Sequence, residues 1–404
     1  MKKIGVLGWI LIGFVVGIIV GAIVGKPITV IKPLGTLFIN LLKMLIIPLI
    51  FSTLAAGVST FTGEKLGRMI GKTFFWYYLT GIIAMIVALI IAGISGAGIG
   101  FPVGELKKVE IKPMPSLVDV GLAIIPTNPI ESLAKGDVLP IIFFAIVLGM
   151  SIAAAGKVAE PLKNFLESVA EAMYKLVGYV LWYGPIGVFA LMAVNVGTYG
   201  LSILKPYALL IFLVYLANAI QFFGVYPALM RFMGIRPYHY LNKIKPSPIF
   251  AFTTCSSSAT LPVTMEVCKE AGIPDRTCGF VLPLGATVNM DGTGMYQAIS
   301  AVFLANAFGI ELTLYHYVMI AIIALLASIG TAGVPGAGLI MLSMVLGAIG
   351  VPIEGIAIIA GVDRIMDMSR TAVNVTDDAV ATVVIGKTEG DKLPDDLLVG
   401  KAIG

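Results

Sequence analysis

Five polar side chains toward the C-terminal end of the sequence, Asp363, Asp367, Arg370, Asn374 and Asp378, are spaced by four, three, four and four residues. At about 100° per residue they fall within about 80° of a helical wheel, and at about 1.5 Å rise they run over about 22 Å. Their chemistry is that of binding rather than bond making. A guanidinium pairs with a carboxylate through two parallel hydrogen bonds, and Asp367 can accept from an ammonium. Asp367 and Arg370 together read an amino acid with a second carboxylate. A second group, Asn289-Met290-Asp291-Gly292-Thr293, supplies an amide oxygen, a carboxylate and a hydroxyl. Hard cations take such oxygen donors, and Gly292 and Gly294 would permit an unwound turn that exposes carbonyls. In the run Thr253–Thr260, Ser256, Ser257 and Ser258 would put hydroxyls and free backbone N–H groups at a half-helix terminus, suited to a substrate carboxylate.

Each group also has a purely structural reading: an ion-pair ladder, a kinked helix with a satisfied Asp, or Ser/Thr packing between helices. Charge argues against the ladder. Asp291, Asp363, Asp367, Asp377 and Asp378 against Arg364 and Arg370 leave three excess negatives, and an acidic substrate adds another. Buried charge of that size calls for bound cations or protons, hence coupled transport.

The elements that must position these groups are apolar. Of 404 residues 58% are hydrophobic and 12% charged, against about 25% charged in soluble domains. The chain reads as an all-α polytopic membrane protein. The net charge of +4 says little about partners, and no nucleic acid is expected among them. Basic residues gather in a few connections, among them Lys2-Lys3, Arg231/Arg236/Lys243/Lys245 and Lys387/Lys392/Lys401. The positive-inside rule makes these cytoplasmic, with both termini, in a multi-pass protein of the cell membrane. Lys107, Lys108 and Lys112, in a Pro-rich linker placed outside, run against that rule. Met1-Lys2-Lys3 precedes an apolar run that is too long for a cleaved signal and reads as the first span. Cys255, Cys268 and Cys278 show neither CxxC nor Cys/His metal spacing, which argues against a disulfide framework or structural zinc.

Long apolar segments cover roughly 4–25, 29–59, 66–98, 116–154, 160–198 and 201–233, the fourth broken around Ile125–Pro129 and Lys135–Asp137. The last 170 or so residues differ. Two apolar stretches, 239–269 and 312–350, are interrupted by the Ser-rich run and by Ser328-Ile-Gly-Thr-Ala-Gly-Val-Pro-Gly-Ala-Gly338. Flanks of about 12–15 residues are too short to span, so both read as re-entrant helical hairpins whose tips meet near the midplane. Each precedes a spanning segment with its own polar break, which points to an inverted repeat around a midplane site.

These residues match a known family. Ser256-Ser-Ser258, Pro283-Leu-Gly-Ala-Thr-Val-Asn-Met-Asp-Gly-Thr293, Ser328-Ile-Gly-Thr-Ala-Gly-Val-Pro-Gly336 and Asp367-Met-Ser-Arg-Thr-Ala-Val-Asn374 closely resemble the glutamate/aspartate transporter family, the dicarboxylate/amino acid:cation symporters of archaeal and bacterial type, over nearly the whole chain. The resemblance implies eight transmembrane helices, two re-entrant hairpins and a homotrimer. It implies a scaffold from residues 1–65 and 116–200, an external linker at 99–115, a transport domain from 66–98 and 201–389 that slides like an elevator, and a cytoplasmic tail at 390–404. Substrate would meet Ser256, Ser257, Ser258, Met290, Thr293, Val334, Gly338, Asp367, Arg370, Thr371 and Asn374, supported by Cys255, Asp363 and Arg364. One sodium site would use Gly285, Asn289, Asn374 and Asp378. A second would use Thr287, Met290, Ser328, Ile329 and Thr331, and a third Tyr77, Thr80, Asn289 and Asp291. Sodium would be co-transported, with no organic cofactor.

Three departures stand out. Cys255 occupies the place of an Arg in archaeal aspartate members, Arg364 that of a small residue, and Gly81 that of a Ser, which weakens the third sodium site. Proton-coupled relatives have Asn at the position of Asp378 and lack the Ser328/Thr331 pattern; both are kept here. The expectation is a sodium-coupled symporter of L-aspartate and/or L-glutamate, with proton-coupled glutamate uptake as the alternative. An intramembrane aspartyl protease would also set acids on separate helices, but the Gly-x-Gly-Asp motif is absent. A channel would not need to occlude a zwitterion.

Overall fold

The computed structural model describes residues 6–59, 64–103, 125–135, 138–329, 331, 333 and 335–400. In chain order the helices are α1 (Val6–Val24), α2 (Lys32–Ser59), α3 (Glu64–Ser95), α4 (Pro129–Lys135), α5 (Val138–Ala155), α6 (Glu160–Tyr199), α7 (Leu204–Ile220) and, after a π turn at Gln221–Val225, α8 (Tyr226–Phe232). They continue with α9 (Pro237–Ile244), α10 (Pro246–Thr254), α11 (Ser257–Glu270), α12 (Asp275–Val288), α13 (Asp291–Ala307), α14 (Leu314–Ile329), α15 (Ala337–Ala348), α16 (Ile356–Ala360) and α17 (Asp363–Thr388). Stretches at Gly71–Ser95, Phe143–Val180 and Leu201–Phe232 are long and apolar enough to cross a membrane by themselves.

The break expected at Ile125–Pro129 is there, and residues 136 and 137 of the second expected break lie outside the described residues. Asn128 Oδ1 accepts from the backbone N–H groups of Ile130 and Glu131 at 3.1 and 3.2 Å, which caps α4 with Pro129 at its first position. Most of the linker expected at 99–115 lies outside the described residues, which omit 104–124.

The helices sort into two contact groups. In one, α6 runs along α1 and α2, and α5 packs on α2. In the other, α17 is the hub and touches α10, α12, α13, α7 and α11, while α3 lies along α13. The hub is held from α7 by the Tyr215 hydroxyl on the Ile365 carbonyl (2.8 Å) and by Asn218 Nδ2 on Ser369 Oγ (2.9 Å). Between the groups, α15 and α16 rest on α2 and α16 on α6.

The second group contains two helical hairpins. The arms of the first, α10 and α11, have nine and 14 residues, about 14 and 21 Å, against a hydrocarbon core of about 30 Å. The arms of the second, α14 and α15, have 16 and 12 residues, again too short. The first tip turns at Cys255, whose φ of 53° is left-handed, a conformation usually given to Gly at helix ends. Ser256 then caps α11 by accepting from Ala259 N at 3.2 Å.

One expectation is corrected. The break between α12 and α13 falls on Asn289 and Met290, and Gly292 and Gly294 lie inside α13. Their smallness serves packing: a Cβ on Gly292 would overlap the Arg370 carbonyl, so the glycine lets α13 cross α17 backbone to backbone.

Beyond α17 the chain folds back beneath this group. Arg236 N donates to the Leu397 carbonyl (2.8 Å) and Val399 N to that of Gly234 (3.1 Å). Lys243 Nζ and His239 Nε2 reach Asp396 Oδ2 at 2.6 and 3.0 Å. The bonds from Lys243 and then His239 hold the Asp396 carboxyl below the ordinary carboxylate range.

Candidate functional site

All five stripe residues are buried on α17, because its 26 residues run through the middle of the second group rather than along lipid. The first half of the helix is a network of matched charge. Arg370 Nε donates to Asp367 Oδ1 at 2.9 Å and its Nη1 to Asp363 Oδ1 at 2.8 Å. The guanidinium lies over the Tyr296 ring, 4.3 Å from the centroid, a cation–π seat. Thr371 Oγ1 also donates to Asp367 Oδ1 (2.9 Å), and Gly336 N, from the second hairpin, to Oδ2 (3.0 Å). Arg364 Nη1 stands 3.5 Å from that same Oδ2, while its Nη2 donates to the Thr254 carbonyl at 3.4 Å. Arg364 therefore reaches the residue beside Cys255, across to the first hairpin tip.

The two tips touch. The Gly333 carbonyl accepts from Ser258 N at 3.0 Å and from Ser256 Oγ at 2.8 Å. Beside this contact is a small space lined by Cys255, Ser257, Met290, Thr293, Thr331, Gly333, Gly338, Asp367, Arg370, Thr371 and Asn374. Of the residues expected at substrate, Ser257, Met290, Thr293, Gly338, Asp367, Arg370, Thr371 and Asn374 line this one space. Ser257 Oγ is buried there without a partner. Ser256 and Ser258 instead spend their donors on the tip-to-tip contact, and Val334 lies outside the described residues. Asn374 knits the floor: Nδ2 donates to Thr293 Oγ1 (3.0 Å) and lies 3.2 Å from Met290 Sδ, and Oδ1 accepts from Gly292 N (2.9 Å).

In the second half of α17, Asp377 and Asp378 have no base as partner among the described residues, and Lys387 at the far end donates to the Met233 and Gly234 carbonyls instead. Asp378 Oδ1 accepts from Asn289 Nδ2 at 3.0 Å. Asp377 accepts from Trp76 Nε1 at 3.0 Å and from Thr80 Oγ1 at 2.9 Å. Asp291 Oδ2 accepts from Gln221 Nε2 at 2.9 Å and from the Tyr226 hydroxyl at 3.1 Å. Gly285 faces Asp378 and the Tyr77 hydroxyl so closely that a Cβ would collide with both. The oxygens expected to hold cations fall into this region. Tyr77, Asn289, Met290, Asp291 and Ser328 line a second small space. Gly285, Asn289, Asn374 and Asp378 surround the α12–α13 break. Thr331 and Ser328 sit at the end of α14, where Thr331 Oγ1 donates to the Ala327 carbonyl (2.7 Å). Ser328 and Thr287 likewise turn their hydroxyls onto carbonyls of their own helices, Leu325 (2.7 Å) and Leu284 (2.9 Å), and the expected second site called on the backbone oxygens of these residues.

Sequence reasoning gave no site role to Trp76, Gln221, Tyr226, Tyr296 or Asp377. Asp377 entered only the count of excess negatives, and a Gln inside an apolar membrane run is the signal that could have marked Gln221.

The chain matches the sodium:dicarboxylate symporter family over residues 6–388. It belongs to that family. This symporter is 38% identical over 403 residues to the proton/sodium-glutamate symport protein of Geobacillus stearothermophilus, covering 96% of each chain. It is 36% identical over 375 residues to the proton/glutamate-aspartate symporter of Escherichia coli, covering 90% of this chain and 86% of that one. It is also 33% identical over 369 residues to a C4-dicarboxylate transport protein of Bacillus subtilis, 89% and 88%. The symporter is a polytopic helical membrane protein and not an enzyme.

Proposed function

We propose that this symporter carries L-aspartate and/or L-glutamate across the cell membrane together with sodium ions. The observation that carries the reading is the Asp367–Arg370 pair facing a space closed by both hairpin tips. An amino acid's ammonium competes for Asp367, its side-chain carboxylate takes Arg370, and its α-carboxylate takes Ser257, whose hydroxyl is buried without a partner. A plain C4-dicarboxylate has no ammonium to offer Asp367, which separates this reading from that of the C4-dicarboxylate relative. Arg364 adds a second guanidinium at the first tip, where Cys255 offers none.

Sodium rather than protons is favoured by a carboxylate at 378 and by hydroxyls at 328 and 331. The group of α3 and α7–α17 acts as the transport domain that moves as an elevator. The group of α1, α2 and α4–α6 acts as the scaffold, assembled as a homotrimer with both termini cytoplasmic. The hairpins are re-entrant, since none of their arms is long enough to cross.

The test is uptake of radiolabelled L-aspartate, L-glutamate and succinate into proteoliposomes, with sodium and pH gradients imposed separately. Uptake of the amino acids driven by sodium alone supports the proposal. Uptake driven only by an inward proton gradient replaces sodium with protons, as in the names of some relatives. Preference for succinate overturns the role given to Asp367.

A further inference from the structure

Asp377 has no assigned role, yet it sits in the part of the molecule least able to hold an idle charge. Asp291, Asp377 and Asp378 are 3%, 0% and 2% exposed, and they are within electrostatic reach of one another. The ion pairs of α17 fall on Asp363 and Asp367. Every donor found on the three lower acids is neutral: an indole, two hydroxyls and two amides. Neutral donors stabilise an ionised carboxylate but do not cancel its charge, and desolvated charge is costly without an opposite one.

A second observation points to what supplies the opposite charge. The amides that donate to these acids each keep a buried carbonyl oxygen without a partner, Asn289 Oδ1 and Gln221 Oε1. Both residues are at most 2% exposed. Orphaned acceptors beside orphaned anions call for a cation, because a neutral donor would answer the oxygens and not the charge. Gln221 also donates to the Thr80 carbonyl (3.3 Å), so it touches both sides of the cluster. The hydroxyl of Thr80 has its shortest bond to Asp377, at 2.9 Å, which leaves its lone pairs for another partner. Trp76 pins the second oxygen of Asp377 at 3.0 Å.

We infer that Asp377 and Gln221 belong to a co-transported monovalent-cation site, in which Asp377 shares the cation's charge with Asp291 and orients Thr80, and Gln221 supplies a carbonyl oxygen. The inference rests on the sodium-coupled reading and adds to it a second carboxylate and a ligand from α7's π turn, a kind of helix defect that recurs at functional sites.

The test uses Trp76 as reporter. Replacing Trp9 and Trp182 by Phe leaves it as the sole tryptophan, since the chain has three. Purified protein is titrated with sodium, and substrate binding is measured by calorimetry at saturating sodium. Asp377→Asn is expected to raise the half-saturating sodium concentration at least about tenfold while the substrate Kd moves less than about threefold, and Gln221→Leu to raise it about threefold or more. Thermal unfolding in parallel separates lost stability from lost affinity. A midpoint unchanged in Asp377→Asn overturns the inference. Should that variant not fold, the smaller Asp377→Ser is titrated in its place: a raised midpoint supports the site and an unchanged one overturns it. A parent protein with no sodium response at all overturns the sodium reading itself, a result distinct from an unchanged variant.

Discussion

The two halves of α17 are built to opposite rules. From Asp363 to Arg370 every acid has a guanidinium within reach, and Arg370 is shared between two of them. From Asn374 onward, acids meet only neutral donors. Both halves are equally buried, so burial alone does not set the chemistry. The matched half can exchange one set of ionic partners for another, as recognition of a zwitterion with an extra carboxylate requires. The unmatched half has nothing to exchange and must import positive charge. On the proposed reading, recognition and coupling lie side by side on one helix, divided by Asn374, which bonds to Gly292 and Thr293 across the border.

The largest effect is expected from breaking the matched half. Arg370→Ala should weaken binding of acidic amino acids at least about 100-fold and, by leaving Asp363 and Asp367 buried without their base, cost about 3–5 kcal/mol of stability. Calorimetry and thermal unfolding read the two losses separately, and acidic-substrate binding within threefold of the parent would sink the role given to this residue. In the unmatched half, Asp378→Asn should move the sodium requirement upward about tenfold with substrate Kd at saturating sodium nearly constant. A substrate Kd that shifts as much as the sodium midpoint would erase the division between the halves.

Arg364→Ala should slow uptake about tenfold, and adding Cys255→Arg should restore it by returning a guanidinium to the first tip. Failure of the double variant would show that Arg364 acts on its own helix alone. The smallest effect is expected at the tail. The Asp396 carboxyl is held low in the folded protein, so it contributes stability in full above the ordinary carboxylate range and loses it as pH falls through the lowered value. Asp396→Asn should therefore lower Tm by at most about 2 °C at neutral pH and by nothing once that range is passed in acid. An equal shift at both pH values would assign the effect to packing.

The stripe was legible because a helix repeats every 3.6 residues and the five side chains keep that period. The hairpins were legible because apolar flanks too short to span surround Ser-rich and Gly/Pro-rich centres. What escaped depends on neighbours distant in sequence. Asp377 stands about 100° from Asp378 on the wheel, so it leaves the stripe and finds Trp76 and Thr80 on α3, about 300 residues away. Gln221 looks like a flaw in an apolar run until the π turn brings it to Asp291. Gly292 reads as a hinge from local propensity, and only the crossing with α17 makes it a spacer. Pairing of this kind has no local signature.

The contact between the hairpin tips has a consequence for water. Its acceptor is a backbone carbonyl, Gly333, and its donors are a backbone N–H and the hydroxyl of Ser256. Separating the tips orphans these groups together, at about 1–3 kcal/mol for each that stays dry. Solvent must enter as the tips part, so parting them is a hydration step as much as a hinge movement. Its equilibrium should follow water activity: osmolytes too large to enter the gap should hold the tips together, whatever the charge of the cargo beneath.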